Sequence, residues 1–200
     1  HLTLKGEDFL GLFGHVAWGA TVKTLAVLDV NIAGTGYNTG GLVGTNGSSY
    51  RYPFTKGGLV LNCHSSGSVI ATGEGYVGGL VGYNAGSVVS SYSSSSVTDS
   101  GRYSCSGGLV GGNVGSITTC YSTGSVSGKW HVGGLVGDNW YGTIIGCYST
   151  GSVSGGDYVG GLVGNNFRGR IHASHSGGEI NGTDCVGGLA GENGGTIAEC

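Results

Sequence analysis

The hexapeptide VGGLVG at residues 132–137 decides the fold of this chain, because near copies of it recur along the 200 residues. The leucine of each copy marks its place, and steps of 38, 29, 26, 27 and 27 residues separate Leu42, Leu80, Leu109, Leu135, Leu162 and Leu189. A divergent seventh copy lies at residues 11–14. Periods of about 20–50 residues are typical of solenoids and related repeat architectures.

Residues downstream of each leucine also repeat in type and spacing. Four residues later comes an asparagine, at Asn46, Asn84, Asn113, Asn139, Asn166 and Asn193. A glycine-containing turn and a β-branched residue follow, and three residues further on a small residue recurs, which is cysteine at Cys63, Cys120, Cys147 and Cys200. Each unit therefore predicts three short strands separated by turns.

Such a unit, roughly 27 residues long, cannot bury its own apolar face, whereas copies stacked on one another can. The pattern predicts an all-β fold, a parallel β-solenoid of about seven coils at a spacing of about 4.8 Å. Right-handed winding is expected from the general preference of parallel crossovers. We expect a single domain over 1–200, with divergent first coils at 1–75, an inserted loop at 47–57 and regular repeats at 76–200. This domain is compatible with a longer chain.

Composition argues against several classes of function. The 47 glycines disfavour helices, and the 8 scattered lysines and arginines form no basic stripe for nucleic acid. No apolar run reaches the roughly 18 residues that span a membrane. The acidic residues fall in different rows, so no catalytic pair is expected and the chain is predicted not to be an enzyme. No cofactor is expected, and without a Cys-x-x-Cys pair no metal site is expected either.

The Gly-Leu-Val-Gly core, with its downstream Asn, Ile and Cys-Tyr-Ser-Thr-Gly, resembles the GLUG-motif repeat family. The resemblance covers about residues 9–200 and is most specific from residue 76 onward. It implies a secreted or surface-attached microbial protein, located outside the cell or on its surface, because such repeats belong to adhesin-like or surface-protease-associated chains. The resemblance implies no catalytic residue. Ser91 and Ser174 depart from the pattern by replacing its cysteine, and the 38-residue step contains an insertion.

Stacked coils place equivalent residues above one another in rows. The asparagine row predicts a structural ladder at a corner, because asparagine tolerates left-handed backbone and its amide bonds to the copies above and below. The row of Cys63, Cys120, Cys147 and Cys200 predicts buried free thiols. The next row predicts a stack of rings that is either structural or a glycan-binding stripe, and it consists of His64, Tyr92, Tyr121, Tyr148 and His175.

Three features stand outside the regular pattern. Cys105 and Cys185 lie three coils apart, about 14 Å, so we expect them to be free or joined in an intermolecular disulfide. Asn46 and Asn181 begin N-glycosylation sequons. The inserted loop carries residue types that are enriched at interfaces, and its candidate contact residues are Tyr50, Arg51, Tyr52, Phe54 and Lys56.

The sequence begins and ends inside a coil, which predicts uncapped strand edges that recruit further strands. We therefore expect an extracellular filament or surface-fibre subunit, a homopolymer that assembles head to tail. The alternative is an adhesin stalk that binds glycans or a protein partner through the 47–57 loop or the tyrosine row. Neither hypothesis involves nucleic acid or a membrane span.

Overall fold

The computed structural model describes residues 2–47 and 56–200, and these residues form a β-solenoid of seven coils. Every strand pair in the described residues is parallel, as stacked coils require. Helices of the length and hydropathy needed to cross a membrane do not occur in the described part of the chain. The predicted all-β parallel solenoid of about seven coils is confirmed.

Each coil passes through four sheets, which we number in the order that the chain visits them within a repeat. Sheet 1 lies before the Gly-Gly-Leu turn and contains β5 (Thr39–Gly40), β9 (Tyr76–Gly78), β14 (Cys105–Gly107), β19 (Trp130–Gly133), β24 (Asp157–Gly160) and β29 (Asp184–Gly187). Sheet 2 follows this turn and contains β2 (Phe13–Val16), β6 (Val43–Asn46), β10 (Val81–Asn84), β15 (Val110–Asn113), β20 (Val136–Trp140), β25 (Val163–Phe167) and β30 (Ala190–Asn193).

The other two sheets complete the coil. Sheet 3 contains β3 (Thr21–Lys23), β7 (Leu59–Leu61), β11 (Ser87–Val89), β16 (Ser116–Thr118), β21 (Thr143–Ile145), β26 (Arg170–His172) and β31 (Thr196–Ala198). Sheet 4 contains β1 (Leu2–Gly6), β4 (Ala26–Gly34), β8 (His64–Ala71), β12 (Tyr92–Ser93), β13 (Ser96–Asp99), β17 (Tyr121–Ser122), β18 (Val126–Ser127), β22 (Tyr148–Ser149), β23 (Val153–Ser154), β27 (His175–Ser176) and β28 (Ile180–Asn181).

The regular coils contain five short strands rather than the predicted three. The paired glycines split the predicted first strand between sheets 1 and 2, because the chain turns sharply there. A Cβ atom on Gly133 would clash with the carbonyl oxygen of Val136, and one on Gly134 would clash with the carbonyl oxygen of Gly161 in the next coil. Glycine is therefore required by the close approach of backbone to backbone. In sheet 4, β8 is continuous, whereas each later coil has two separate strands.

The core consists of apolar rows that run along the axis of the solenoid. Sheet 2 contributes valines in register, and the leucine of each Gly-Gly-Leu turn lies fully buried beside them in the inner coils. Sheets 3 and 4 contribute the row of Val60, Val88, Ile117, Ile144 and Ile171 and the row of Val69, Val97, Val126 and Val153. Each fully buried side chain of this type contributes about 1.5–3 kcal/mol relative to exposure.

Candidate functional site

The asparagines form a continuous chain of side-chain hydrogen bonds, which we call the Asn ladder (Asn46, Asn84, Asn113, Asn139, Asn166 and Asn193). Each Nδ2 donates to the Oδ1 of the asparagine in the next coil, at 2.7–2.8 Å. The first five side chains are fully buried. Because a buried amide that lacks partners is costly, the ladder fixes the end of each sheet 2 strand.

Left-handed backbone lies at a different corner from the one that the sequence predicts. The Asn ladder residues do not have positive φ; the residue that precedes the cysteine row does, in every coil. We call this turn between sheets 3 and 4 the fixed corner, and it consists of Thr24, Asn62, Ser90, Thr119, Gly146, Ala173 and Glu199, with φ of 47–62°. These residues have no amino-acid type in common that would predict a positive φ, because backbone hydrogen bonds between coils impose the conformation.

The row that follows the fixed corner uses cysteine and serine in the same way, and we call it the Cys/Ser row (Cys63, Ser91, Cys120, Cys147, Ser174 and Cys200). The Cys120 thiol donates to the carbonyl of Thr118, and the Ser91 hydroxyl donates to Val89. Each also accepts the amide N–H of the preceding coil's residue, as Cys120 Sγ does from Ser91 at 3.4 Å. Either residue type makes both bonds, which explains why serine replaces cysteine in two coils.

All six cysteines lie in the described residues and are free. Cys63, Cys120 and Cys147 are buried, whereas Cys200 is exposed, so the expectation of a buried thiol is wrong at that position. The reason is that Cys200 belongs to the last described coil, which is covered on one side alone. Burial raises the pKa of Cys63, which keeps that thiol protonated and inert.

The rings of the row beside the Cys/Ser row are stacked face to face. The centroids of Tyr92 and Tyr121 are 4.7 Å apart and those of Tyr121 and Tyr148 are 4.9 Å apart, with interplanar angles of 3°. His64 and His175 continue the stack at its two ends. Because each inner ring covers the faces of its neighbours, the faces that would stack on a sugar are already occupied, and the ring edges remain.

The turn between sheets 2 and 3 differs in length from coil to coil, and we call it the variable corner. Between the Asn ladder and sheet 3 lie two residues at 114–115, three at 140–142 and at 167–169, and twelve at 47–58. Trp140 and Phe167 still belong to β20 and β25, and residues 48–55 lie outside the described part of the chain. Tyr50, Arg51, Tyr52 and Phe54 of the predicted interface lie outside the described residues. Lys56 lines a shallow groove of about 350 Å³ together with Trp18, Ala85, Ser87 and Ser116.

The two three-residue turns of this corner expose an aromatic patch, formed by Trp140, Tyr141, Phe167 and Arg168. The three rings are 40–52% exposed. The Arg168 guanidinium lies 5.3 Å from the Phe167 ring centroid and 5.7 Å from that of Tyr141, and its Nη1 donates to the Tyr141 hydroxyl at 2.8 Å. The sequence pattern did not single out this patch, since its aromatic residues align on two neighbouring coils alone.

A second arrangement that the sequence analysis missed is a polar cluster of Cys105, His131 and Asp138, which we call the Cys-His-Asp cluster. Cys105 Sγ is 3.5 Å from His131 Nδ1, and the thiol, imidazole and carboxylate atoms all lie within 4.8 Å of one another. Asn165 Nδ2 donates to Asp138 Oδ1 at 3.0 Å. Cys105 and His131 each lie four residues before the leucine of their repeat, on neighbouring coils, so the repeat spacing places them side by side. Asp138 lies across the Gly-Gly-Leu turn, and the spacing gives no sign that it joins them.

A β-bulge places His131 in this cluster. Cys105 pairs with Trp130 and Ser106 pairs with Val132, which leaves His131 as the extra residue, with a φ of 38°. Bulges often redirect a side chain near a functional site. The Trp130 ring packs beside the imidazole, with 5.4 Å between centroids.

Burial is the largest cause of the pKa shifts in the Cys-His-Asp cluster. It lowers the pKa of His131 to about 4, so this imidazole is neutral at pH 7. It raises the pKa of Asp138 to about 6, and the hydrogen bond from Asn165 opposes this effect. It raises the pKa of Cys105 well above the ordinary value, and the carboxylates of Asp138 and Asp99 add to the shift. The Cys105 thiol is therefore not an activated nucleophile.

The residues predicted for an intermolecular disulfide and for glycosylation differ in their exposure. Cys105 is 8% exposed, which disfavours an intermolecular disulfide at this position, whereas Cys185 is exposed and accessible for one. Asn46 is fully buried within the Asn ladder, which leaves no room for a glycan, whereas Asn181 is exposed. Asp157 and Asp184 lie in register on neighbouring strands.

Comparison with known proteins agrees with this geometry. The GLUG motif matches residues 102–127 and 128–154, which are two adjacent coils. No curated protein was found to match the chain in sequence.

A solved structure of a putative immunoglobulin A1 protease from Bacteroides ovatus superposes with a TM-score of 0.55 at 18% identity. The superposition covers 98% of this chain and 58% of that protein, so this chain spans little more than half of its length. Identity at this level shows a shared fold alone. The chain is therefore a seven-coil β-solenoid that carries adjacent GLUG-motif repeats.

Proposed function

We propose that this chain is a non-enzymatic structural subunit of an extracellular or cell-surface fibre, and that copies stack head to tail. The observation that carries the proposal is the continuity of its rows: the same types of side chain stack from the second coil to the last, and in the first coil Val16 takes the place of the asparagine. A solenoid of this kind gains stability with each coil added. The resemblance to GLUG-repeat proteins supports a place at the cell surface.

The first and last coils each expose apolar side chains beside polar ones. Phe9, Leu12 and Phe13 at one end are 38–41% exposed, and Val186 at the other end is 47% exposed. The equivalents of Leu12, Phe13 and Val186 in the inner coils are fully buried, as Val159 is in the row of Val186. A second copy that stacked on either end would bury these side chains in the same way.

One row shows how the two ends would match. Leu4 lies opposite Ile32, at the start of a row that continues through Val69, Val97, Val126, Val153 and Ile180. Leu4 of a second copy, placed on Ile180, would continue this row. The contact joins two different surfaces, so it does not close on itself and produces a filament.

Substitution of Val186 tests this assembly in the 200-residue chain. Val186→Lys should place a charge in the contact between copies while leaving the separate molecule intact, because Val186 is already exposed. We expect the unmodified chain to sediment as concentration-dependent polymers and Val186→Lys to sediment as a monomer. Tyr141→Lys is the matched control on the side of the rod and should still polymerise. A wild-type chain that stays monomeric at every concentration would overturn the proposal.

Glycan binding is the second candidate function, and the aromatic patch favours it. Exposed aromatic rings that are held in place by a neighbouring cation are typical of recognition surfaces. The same corner carries the 47–57 loop with Tyr50 and Tyr52. This candidate describes an adhesin stalk, whose rod would present the variable corner to a partner.

A glycan array separates the two candidates. An adhesin should bind a defined set of glycans, and Trp140→Ala should reduce the signal at least about tenfold, as the loss of a central aromatic contact does. Tyr103→Ala is the control, because Tyr103 is exposed outside the aromatic patch. Equal binding by both variants, or an empty array, would exclude glycan recognition by this patch.

A further inference from the structure

We propose that the Cys-His-Asp cluster is a binding site for a divalent transition-metal ion, with Zn²⁺ as the best match. Cys105, His131 and Asp138 supply one sulfur, one nitrogen and one oxygen atom, which is a donor set that zinc accepts. Three protein ligands leave the fourth tetrahedral position for water. Within residues 2–47 and 56–200 this is the one group in which three such side chains converge.

The distances suit a tetrahedral ion. Zinc lies about 2.3 Å from a thiolate and about 2.0–2.1 Å from an imidazole nitrogen, so the two donor atoms should lie about 3.6 Å apart at a tetrahedral angle. Cys105 Sγ and His131 Nδ1 are 3.5 Å apart. The carboxylate oxygen of Asp138 lies within 4.8 Å of both atoms, so a small shift of that side chain completes the set.

Charge balance favours a doubly charged cation. Zinc binding displaces the proton of the Cys105 thiol, and this proton leaves to solvent as the sulfur–metal bond forms. The resulting thiolate and the Asp138 carboxylate together neutralise the ion, while His131 contributes an uncharged donor. Burial of the site thus encloses a neutral complex instead of isolated charges.

Neighbouring residues hold the ligands in position. Asn165 donates a hydrogen bond to Asp138 at 3.0 Å, as outer partners of metal ligands usually do. The bulge at His131 turns the imidazole toward the cluster, and the equivalent residues of the next coil, Tyr158 and Asn165, do not repeat the donor set. The site therefore belongs to one pair of coils rather than to the repeat as such.

Cobalt provides a direct test on the whole chain, prepared free of metal under reducing conditions. All variants carry Cys185→Ser, because exposed Cys185 lies beside Asp184 and could bind metal weakly. We expect one equivalent of Co²⁺ to give a thiolate-to-metal charge-transfer band and the visible bands of a tetrahedral complex, and Zn²⁺ to displace both. Absence of any such band in this parent protein would overturn the proposal.

Matched substitutions identify the ligands. Cys105→Ser should abolish the charge-transfer band, whereas Cys120→Ser, the same change in the Cys/Ser row, should leave it intact. His131→Gln should weaken Zn²⁺ binding by on the order of 100-fold or more, beyond what loss of an outer partner costs. A band that survives in Cys105→Ser would overturn the proposal.

If Cys105→Ser does not fold, thermal unfolding of the parent protein and of His131→Gln still tests the proposal. Saturating Zn²⁺ should raise the melting temperature of the parent protein, because a ligand that binds the folded state stabilises it. It should not raise that of His131→Gln. Equal shifts in both proteins would show that zinc binds elsewhere, which would contradict this assignment.

Discussion

The fixed corner and the variable corner each turn the chain from one sheet of the coil to the next, but different contacts hold the two turns in place. At the fixed corner a single left-handed residue precedes a Cys or Ser whose side chain bonds to its own coil and to the preceding one. At the variable corner the Asn ladder makes the bonds between coils, and the turn outside it ranges from two residues to twelve. The variable corner can therefore differ in length, because the asparagine that bonds to the neighbouring coils lies before the turn.

Insertions at the two corners should show the largest difference. A Gly-Ser-Gly insertion after Thr119 displaces Cys120 from its row and should lower the free energy of unfolding by about 3–6 kcal/mol, equal to exposing two buried aliphatic side chains. The same insertion after Val114 lengthens a turn outside the Asn ladder and should cost about 1 kcal/mol or less. Urea unfolding followed by circular dichroism measures both, and similar losses would refute the distinction.

Removal of one asparagine from the middle of the Asn ladder is expected to have the next largest effect. Asn113→Ala leaves the Asn84 amide without its acceptor and Asn139 Oδ1 without its donor. Each buried unsatisfied group costs about 1–3 kcal/mol, so the free energy of unfolding should fall by about 2–6 kcal/mol. Asn193→Ala is the control, because Asn193 is exposed at the end of the ladder. Equal effects at the two positions would show that the ladder does not act through burial.

Substitutions in the Cys/Ser row should have a smaller effect on the free energy of unfolding. This effect depends on whether the new side chain makes the hydrogen bonds of the row rather than on its size. Cys120→Val removes the acceptor for the amide of Ser91 and should cost about 1–3 kcal/mol. Cys120→Ser keeps both hydrogen bonds and should change the free energy of unfolding by about 1 kcal/mol or less. Chemical denaturation compares the pair, and a valine variant as stable as the serine variant would show that the row is simply apolar packing.

A comparison of two tyrosines should show an effect of similar or smaller size. Tyr121→Ala removes stacking on Tyr92 and Tyr148, at about 0.5–1.5 kcal/mol for each ring pair. Tyr141→Ala at the variable corner should change the free energy of unfolding by about 0.5 kcal/mol or less, because such surface positions carry little stability. Differential scanning calorimetry detects the contrast. A larger loss in the Tyr141 variant would mean that the aromatic patch is part of the folded framework.

The repeat made most of the fold predictable from sequence, since register follows from the spacing of Leu135, Asn139 and Cys147 and of their copies. The number of strands was not predictable, because the split at Gly133 and Gly134 depends on a turn that brings backbone from neighbouring coils together. The left-handed residues of the fixed corner gave no signal either, since Thr119 and Ala173 adopt that conformation through bonds between coils.

The candidate sites were less predictable than the fold. Cys105 was recognised as irregular, and His131 has the same spacing to its repeat leucine, but the bulge and the approach of Asp138 across a turn were not visible in the sequence. Trp140 and Phe167 were passed over because they align with each other on two coils alone. A repeat analysis identifies what recurs, whereas these sites consist of residues that do not recur.

Electron microscopy of the native, non-reduced protein tests the central claim most directly, namely that stacked coils continue from one molecule to the next. The account predicts long fibres of uniform width with an axial repeat near 34 Å, which is the height of seven coils at about 4.8 Å each. Separate rods of about that length, without end-to-end contact at any concentration, would contradict it.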